Sequence, residues 1–248
     1  MSIVEHVKGC VIGNGPRFPT NNYVGGDMNA ACRWDCYRRA TMLEPLVEAI
    51  FRDNVPGDFL EAGVFKGGIA IAMAAMLLAG DSKASRTMWL ADSFEGLPNV
   101  STPVSDEIDA IVRAENRRAH WVRGLFNGSQ PKVQMHMQRC LRNQDGKPLR
   151  GRQRVRLLPG FFEDSLPGPV RALALLRVDG DLYTSITTTL ERLWQTLSVG
   201  GFVVFDDWKF AQSQRAIVDF RKRWHIDTPI LFANDTLDAM AYWRKEPG

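Results

Sequence analysis

The sequence predicts a three-layer α/β domain whose sheet is mostly parallel and closes with an antiparallel hairpin at its C-terminal end. Short hydrophobic runs of strand length alternate with segments of helical spacing from residue 58 to residue 224. Helical crossovers of this length join parallel neighbours, which places these strands in one sheet. Two further strand-like runs follow each other at 230–233 and 239–243. Alternation followed by a hairpin is typical of a three-layer α/β architecture.

The segment ahead of this domain has a different composition. Residues 1–30 are rich in Gly, Pro and Asn and predict an irregular arm that wraps a neighbour or covers a pocket. Residues 30–52 have helical spacing ahead of the break at Pro56-Gly57. We therefore divide the chain into an N-terminal arm and helical lid at 1–55 and an α/β domain at 56–248.

The elements of the α/β domain follow from hydrophobic runs and turn residues in order along the chain. Strands are predicted at 58–62, 87–91, 155–158, 173–178, 202–205, 230–233 and 239–243. Helices are predicted at 68–78, 103–118, 132–142, 185–197 and 212–224. The pair Gly200-Gly201 is interpreted as the turn into the strand at 202–205. A chain of 248 residues with 45% hydrophobic content is long enough to bury a full core around these elements.

Composition narrows the class of partner. The net charge of +3 is only mildly basic, and the arginine-rich segments at 113–123 and 139–156 are interpreted as solvated faces, so no nucleic-acid partner is expected. No run reaches the ~18 apolar residues of a membrane span. The N-terminus lacks the pattern of a signal peptide. We therefore expect a cytoplasmic protein without a membrane partner.

Cysteine and histidine usage argues against a zinc site. Cys10, Cys32, Cys36 and Cys140 show no paired CxxC spacing, and free thiols are expected. The four histidines are scattered along the chain without an HExxH pattern. Each histidine is interpreted as structural or surface-exposed.

Two hydrophobic runs between residues 173 and 208 each end in a pair of carboxylates. Asp179 and Asp181 follow the first strand, and Asp206 and Asp207 follow the second. The carboxyl ends of parallel neighbours open on the same edge of the sheet, so we expect these four acids to converge. Clustered carboxylates raise one another's pKa unless a cation lies among them, and a hard cation such as Mg²⁺ suits such ligands. Capping of helices and turns is the alternative reading of these aspartates.

The first strand–helix turn, around Glu61, Gly63 and Gly67, has the glycines that let backbone approach a ligand closely. It lacks the GxGxxG fingerprint of dinucleotide sites and the GxxxxGK[ST] pattern of phosphate loops. NAD, ATP and GTP are therefore disfavoured.

An acid ends the second predicted strand, at Asp92. An acid in this position accepts hydrogen bonds from the ribose hydroxyls of a nucleoside. Together with the glycine turn, Asp92 makes S-adenosylmethionine the cofactor that fits best.

Five motifs in this order carry a family resemblance. They are E-x-G-x-x-x-G-G, A-D-S-F-E-G-L-P, G-F-F-E-D-S-L-P, R-V-D-G-D-L-Y-T-S and S-V-G-G-F-V-V-F-D-D-W. From about Thr41 to Trp208 the chain resembles the macrocin O-methyltransferase family. The resemblance implies a Rossmann-like class I methyltransferase sheet, and an enzyme that uses S-adenosylmethionine and Mg²⁺ to methylate a hydroxyl of a sugar-bearing natural product. The region at 102–131 departs from the family's pattern as a longer, variable insert, which puts the choice of substrate in doubt.

The resemblance also implies roles for single residues in cofactor binding. Glu61, Gly63 and Gly67 would line the methionine part, and Asp92 and Ser93 would hold the ribose. The adenine would lie near Phe161, Glu163 and Asp164.

The acids receive metal-binding and catalytic roles from the same resemblance. Asp179, Asp206 and Asp207 would coordinate the metal, with Asp179 also beside the cofactor. Asp181 would be the base that removes the hydroxyl proton, and the roles of Asp179 and Asp181 are interchangeable at this point. The family also implies a homo-oligomer whose N-terminal arms help to close neighbouring sites.

Three other functions are consistent with parts of the pattern. A DxD glycosyltransferase would use a nucleotide-sugar and Mn²⁺ through strand-end acids, and an aspartyl-phosphate phosphatase also places two acids after a strand. A noncatalytic subunit could keep the methyltransferase fold. The glycine turn at Glu61 has no role in the phosphatase reading.

Overall fold

The computed structural model describes residues 30–81, 83, 85–99, 104–119, 121–142, 147–233 and 240–247. Residues 1–29 of the predicted arm at 1–30 lie outside the described residues, as do parts of the insert and of the C-terminal hairpin. The division of the chain at residues 55 and 56 stays a prediction.

A seven-stranded sheet forms the centre of the molecule, in the order β3-β2-β1-β4-β5-β7-β6. The first five strands in this order pair in parallel, and β7 pairs antiparallel with both β5 and β6. The predicted fold class is confirmed. The strands are β1 (Asp58–Ala62), β2 (Met88–Asp92), β3 (Val155–Pro159), β4 (Leu173–Val178), β5 (Leu197–Phe205), β6 (Leu231–Phe232) and β7 (Ala241–Arg244).

Helices cover both faces of this sheet. The α-helices are α1 (Ala30–Arg52), α2 (Gly68–Gly80), α3 (Asp106–Ala119), α4 (Gln130–Cys140), α5 (Phe162–Ser165), α6 (Tyr183–Leu193) and α7 (Ala211–Arg223). One hydrophobic cluster joins α1, α2 and α4 to one face of the sheet. A second joins α6, α7 and part of α3 to the other face, which makes three layers.

Burial on both faces explains the composition of the central elements. All six residues of β4 are buried, as expected for a parallel strand between two helical layers. Neighbouring residues alternate between the layers, since Phe59 packs with α1 and α2 while Leu60 packs with α6 and α7. Helix α2 is buried from Gly68 to Leu77 because α1 covers the side that the sheet leaves open.

The predicted turn at Gly200-Gly201 is wrong, because both glycines lie inside β5. Leu197 pairs with Leu173 and Phe202 pairs with Leu175, so β5 carries extra residues at an irregularity in the ladder. Gly200 has a φ of +83° there, which favours glycine. The glycines therefore serve a bulge within a strand, and the predicted helix at 185–197 ends earlier, at Leu193.

Two predictions from composition bear on the described residues. Cys140 is a buried free thiol, as expected. Among the described helices, none is both long and apolar enough to cross a membrane.

Candidate active site

The structure brings the predicted strand-end acids together. Val178 and Phe205 are register partners at the ends of β4 and β5, so the residues that follow them emerge side by side. Carboxylate oxygens of Asp179, Asp206 and Asp207 all lie within 4.8 Å of one another. The geometry suits a divalent cation with oxygen ligands.

An arginine that was not among the predicted site residues lies against this acid cluster. Arg177, on β4, is 1% exposed. Its guanidinium Nη1 lies 2.5 Å from Glu61 Oε1 and 3.1 Å from Asp179 Oδ2, and its Nη2 lies 2.7 Å from Asp206 Oδ1. A charged residue within an apolar run that predicts a buried strand is the sequence feature that could have indicated Arg177.

A second arginine reaches the cluster from α1. Arg39 forms an ion pair with the carboxylate of Asp206, and its Nη1 donates to the carbonyl oxygen of Asp206 at 3.4 Å. Arg39 also lines the cavity beside the acids. The helix predicted as a lid therefore contributes a side chain to the site.

Burial and mutual repulsion shift the pKa values of the acids. Burial raises the pKa of Asp179, and the negative charge of Asp206 adds to it. Burial alone would raise the pKa of Asp206, but the charges of Arg177 and Arg39 outweigh it and hold that pKa below its usual range. Asp206 is therefore the acid that the arginines keep ionised.

The other two acids hold protons more tightly. Burial raises the pKa of Asp207 well above its usual range, with further contributions from Asp181 and Asp179. Burial does the same for the pKa of Asp181, and the charges of Asp179 and Asp206 add to it. Asp181 and Asp207 therefore differ from Asp206, which the two arginines keep ionised.

The backbone at Asp181 is held in an uncommon conformation. Its φ is +57°, in the left-handed region that few residues other than glycine adopt. Its N–H donates to Asp207 Oδ2 at 3.2 Å, so a carboxylate of the acid cluster holds the loop that carries Asp181. Strained backbone of this kind is concentrated at functional sites.

A cavity of about 310 Å³ opens beside the acids. This volume is at the lower end of the range for small-molecule sites, roughly 300 to 1,000 Å³. Of the predicted site residues, the cavity lining includes Gly63, Asp92, Ser93, Phe161, Glu163, Asp179, Asp181 and Asp206. The lining does not include Glu61, Gly67, Asp164 or Asp207.

Gly63 shows why the first turn needs glycine. Its φ is +93°, and a Cβ there would lie 1.9 Å from the carbonyl oxygen of Asp179. The ends of β1 and β4 approach this closely because the Asp179 N–H donates to Ala62 O at 2.8 Å. The glycine thus brings the predicted cofactor turn next to the acids.

Asp92 organises the same turn from the end of β2. Its Oδ2 accepts hydrogen bonds from the N–H groups of Val64 and Phe65, at 2.7 and 3.0 Å. Its Oδ1 accepts one from Phe94 N–H at 2.7 Å. Asp92 therefore ties the first turn to the second, and its carboxylate also lines the cavity.

The insert borders the cavity through an aromatic side chain. Phe126 lines the cavity and contacts Phe65 edge to face, with ring centroids 6.0 Å apart. Helix α3 of the insert is tied to α7, because the carboxylate of Glu115 accepts hydrogen bonds from the first N–H groups of that helix, at Ala211 and Gln212. Glu107 of α3 also forms an ion pair with Arg215 of α7.

The sheet order and the site together define a class I methyltransferase, and solved structures agree. The O-methyltransferase NovP superposes with a TM-score of 0.74 and 29% identity, over 98% of each chain. The calicheamicin methyltransferase CalS11 shares the fold, with a TM-score of 0.63 and 20% identity, over 98% of this chain and 91% of that one.

Sequence comparison identifies the family. The family model described as macrocin-O-methyltransferase (TylF) matches residues 29–245. The chain belongs to this family, and the protein is an S-adenosylmethionine-dependent O-methyltransferase.

Characterised relatives are similar over most of the chain. An 8-demethyl-8-(2,3-dimethoxy-alpha-L-rhamnosyl)-tetracenomycin-C 4'-O-methyltransferase from Streptomyces olivaceus is 39% identical, over 84% of this chain and 73% of the relative. A demethyldecarbamoylnovobiocin O-methyltransferase from Streptomyces niveus is 35% identical, with the same coverage. A mycinamicin III 3''-O-methyltransferase from Micromonospora griseorubida is 34% identical, over 84% of this chain and 76% of the relative.

Proposed function

We propose that this enzyme methylates a sugar hydroxyl of an antibiotic-type natural product and that it requires a divalent cation, Mg²⁺, for the reaction. The observation that carries the proposal is the position of Asp181, which lines the cavity beside the acid cluster. The named activity of the Streptomyces olivaceus relative, methylation of a rhamnosyl derivative, supports a sugar as the acceptor.

The acid cluster has the chemistry of a metal site. Asp179, Asp206 and Asp207 would hold the cation through hard carboxylate oxygens, which Mg²⁺ prefers. Burial, and after it the negative charge of neighbouring acids, raises the pKa values of Asp179 and Asp207, and a cation would offset that negative charge. When bound there, Mg²⁺ would lower the pKa of an acceptor hydroxyl and orient its oxygen.

The turns around the cavity are suited to a nucleoside cofactor. Gly63 would allow close approach of backbone, Asp92 and Ser93 would meet the ribose, and Phe161 and Glu163 would lie at the adenine. S-adenosylmethionine, when bound, supplies the methyl group and leaves as S-adenosylhomocysteine.

Asp181 performs the proton transfer in this proposal. Its carboxylate takes the proton of the acceptor hydroxyl as that oxygen forms its bond to the methyl carbon and the bond from that carbon to sulfur breaks. The fixed backbone around Asp181 holds the base in place before the acceptor arrives.

Binding and turnover test the proposal separately. Titration calorimetry should detect S-adenosylhomocysteine and, in a second titration, Mg²⁺ or Mn²⁺, whereas UDP should give no signal. Binding of UDP without S-adenosylhomocysteine would support a glycosyltransferase instead. Methyl transfer is then assayed with alkyl and aryl α-L-rhamnosides and Mg²⁺.

Two aspartate variants assign the roles. Asp181→Asn should keep both binding signals while its turnover falls by roughly 10²- to 10⁴-fold, the usual contribution of a general base. Asp206→Asn should lose affinity for the cation and keep S-adenosylhomocysteine. Near-normal turnover of both variants would contradict these assignments. Metal-independent turnover by the unaltered enzyme would contradict the metal requirement. A cytoplasmic location and a homo-oligomer stay predictions.

A further inference from the structure

Glu61 lies behind the active site, where it contacts an arginine. Glu61 and Arg177 are each 1% exposed, and the lining of the cavity does not include Glu61. Glu61 Oε1 lies 2.5 Å from Arg177 Nη1. Burial raises the pKa of Glu61 to about 8, with the charge of Arg177 opposing the shift.

The same guanidinium reaches the acids that border the cavity. Arg177 Nη1 lies 3.1 Å from Asp179 Oδ2, and Nη2 lies 2.7 Å from Asp206 Oδ1. One side chain thus connects a carboxyl group behind the site with two carboxylates proposed to hold the cation. The backbone of Arg177 is part of β4, and its guanidinium donates a hydrogen bond to Glu61.

We propose that Glu61 and Arg177 are positioning residues for the cation site, and that Glu61 acts through Arg177 instead of contacting the cofactor. This inference rests on the proposed function, because it concerns the arrangement of the proposed metal ligands. It differs from the role that the family resemblance implies for Glu61, which is contact with the methionine part of the cofactor.

The contact with Glu61 determines where the charge of Arg177 is directed. With Glu61 in place, three carboxyl groups share the guanidinium, and its position is fixed. Without Glu61, the acidic partners left to the guanidinium among the described residues are Asp179 and Asp206, and it turns fully onto the oxygens that a cation needs. Residues that orient metal ligands in this way typically change metal affinity by about 10- to 100-fold when they are replaced.

The test compares two affinities in matched variants. Mn²⁺ binding is followed by the electron paramagnetic resonance of the free ion, and S-adenosylhomocysteine binding by calorimetry without metal. Glu61→Leu removes the partner of Arg177, and Glu61→Gln keeps an oxygen that accepts its hydrogen bond. Glu191→Leu is the control, because it removes a glutamate from an ion pair with Arg223 outside the cavity.

We expect Glu61→Leu to bind Mn²⁺ about 10- to 100-fold more weakly and S-adenosylhomocysteine as tightly as the unaltered enzyme. Glu61→Gln should retain most of the Mn²⁺ affinity, and Glu191→Leu should change neither affinity. Rescue by glutamine, together with the separation of the two ligands, distinguishes a positioning role from a general loss of structure.

Other results would overturn the inference. Weaker S-adenosylhomocysteine with unchanged Mn²⁺ would make Glu61 a cofactor residue, and unchanged affinity for both ligands would give it no role at the site. Equal losses of both affinities would mean a general structural role. If Glu61→Leu does not fold, Arg177→Lys replaces it and should weaken Mn²⁺ alone. Failure of the unaltered enzyme to bind Mn²⁺ or S-adenosylhomocysteine would instead refute the proposed function.

Discussion

Substitution of Arg177 by methionine should strongly destabilise the protein. Methionine fills much of the same volume, but Glu61, Asp179 and Asp206 lose the guanidinium that all three contact. Removing one partner of a buried ion pair typically costs about 3–5 kcal/mol, because the remaining charge stays buried. For a chain of this size each kcal/mol lowers the melting temperature by about 2–4 °C, which predicts a decrease of about 6–20 °C.

Magnesium should recover part of this loss. A cation bound to Asp179, Asp206 and Asp207 would offset the same negative charge that Arg177 offsets in the unaltered protein. We therefore expect Mg²⁺ to raise the stability of Arg177→Met more than that of the unaltered protein. Urea unfolding followed by tryptophan fluorescence, with EDTA and with Mg²⁺, measures the free energy of unfolding of each variant. Thermal unfolding in the same two buffers measures the melting temperature.

The matched control is Arg223→Met. Arg223 forms an ion pair with Glu191, but its side chain is 60% exposed. Exposed pairs contribute about 0–1 kcal/mol, so this variant should unfold almost as the unaltered protein does, with no response to Mg²⁺. A loss below about 1 kcal/mol for Arg177→Met in EDTA would refute the view that a buried guanidinium holds the acid cluster together.

Two further predictions concern backbone geometry and acid stability. Gly63→Ala should lose more stability in urea than the control Gly124→Ala, because both glycines have positive φ but only at Gly63 would a Cβ lie 1.9 Å from the carbonyl oxygen of Asp179. Gly124→Ala should lose about 1–3 kcal/mol from backbone strain alone. Equal losses in the two variants would contradict the steric argument. Burial alone would raise the pKa of Asp81, but hydrogen bonds, first of all from the Arg86 N–H, lower it in the folded protein. The stabilisation by Asp81 is therefore present above the usual aspartate pKa and is lost as pH falls through the lower folded value. Asp81→Asn should reduce the urea midpoint at pH 7 and weaken its dependence on acid pH, and an unchanged pH profile would show that these bonds do not stabilise the fold.

Much of the fold was predictable because its signals are local. Buried parallel strands appear as apolar runs, and the prediction for 173–178 matches β4 at both ends. The error at Gly200-Gly201 arose because glycine marks a turn and a bulge alike. The bulge depends on how β5 pairs with β4, which the local sequence does not encode.

The site was predictable where topology alone brings residues together. Asp179 and Asp206 follow parallel neighbouring strands, so their proximity follows from the fold class. Arg39 contacts Asp206 across 167 positions of sequence, and the packing of α1 against the domain decides that contact. Arg177 was not predicted because the other residues of β4 are apolar and indicate only a buried strand.

The link between the insert and α7 has a consequence for protein engineering. The carboxylate of Glu115 accepts hydrogen bonds from the first N–H groups of α7, which begins four residues after Asp207. The insert is therefore linked through α7 to the end of β5. A graft that replaces the insert should therefore keep carboxylates at positions 107 and 115, because these two groups contact α7. Chimeras that keep these two glutamates should retain the contacts that hold α7 against the insert.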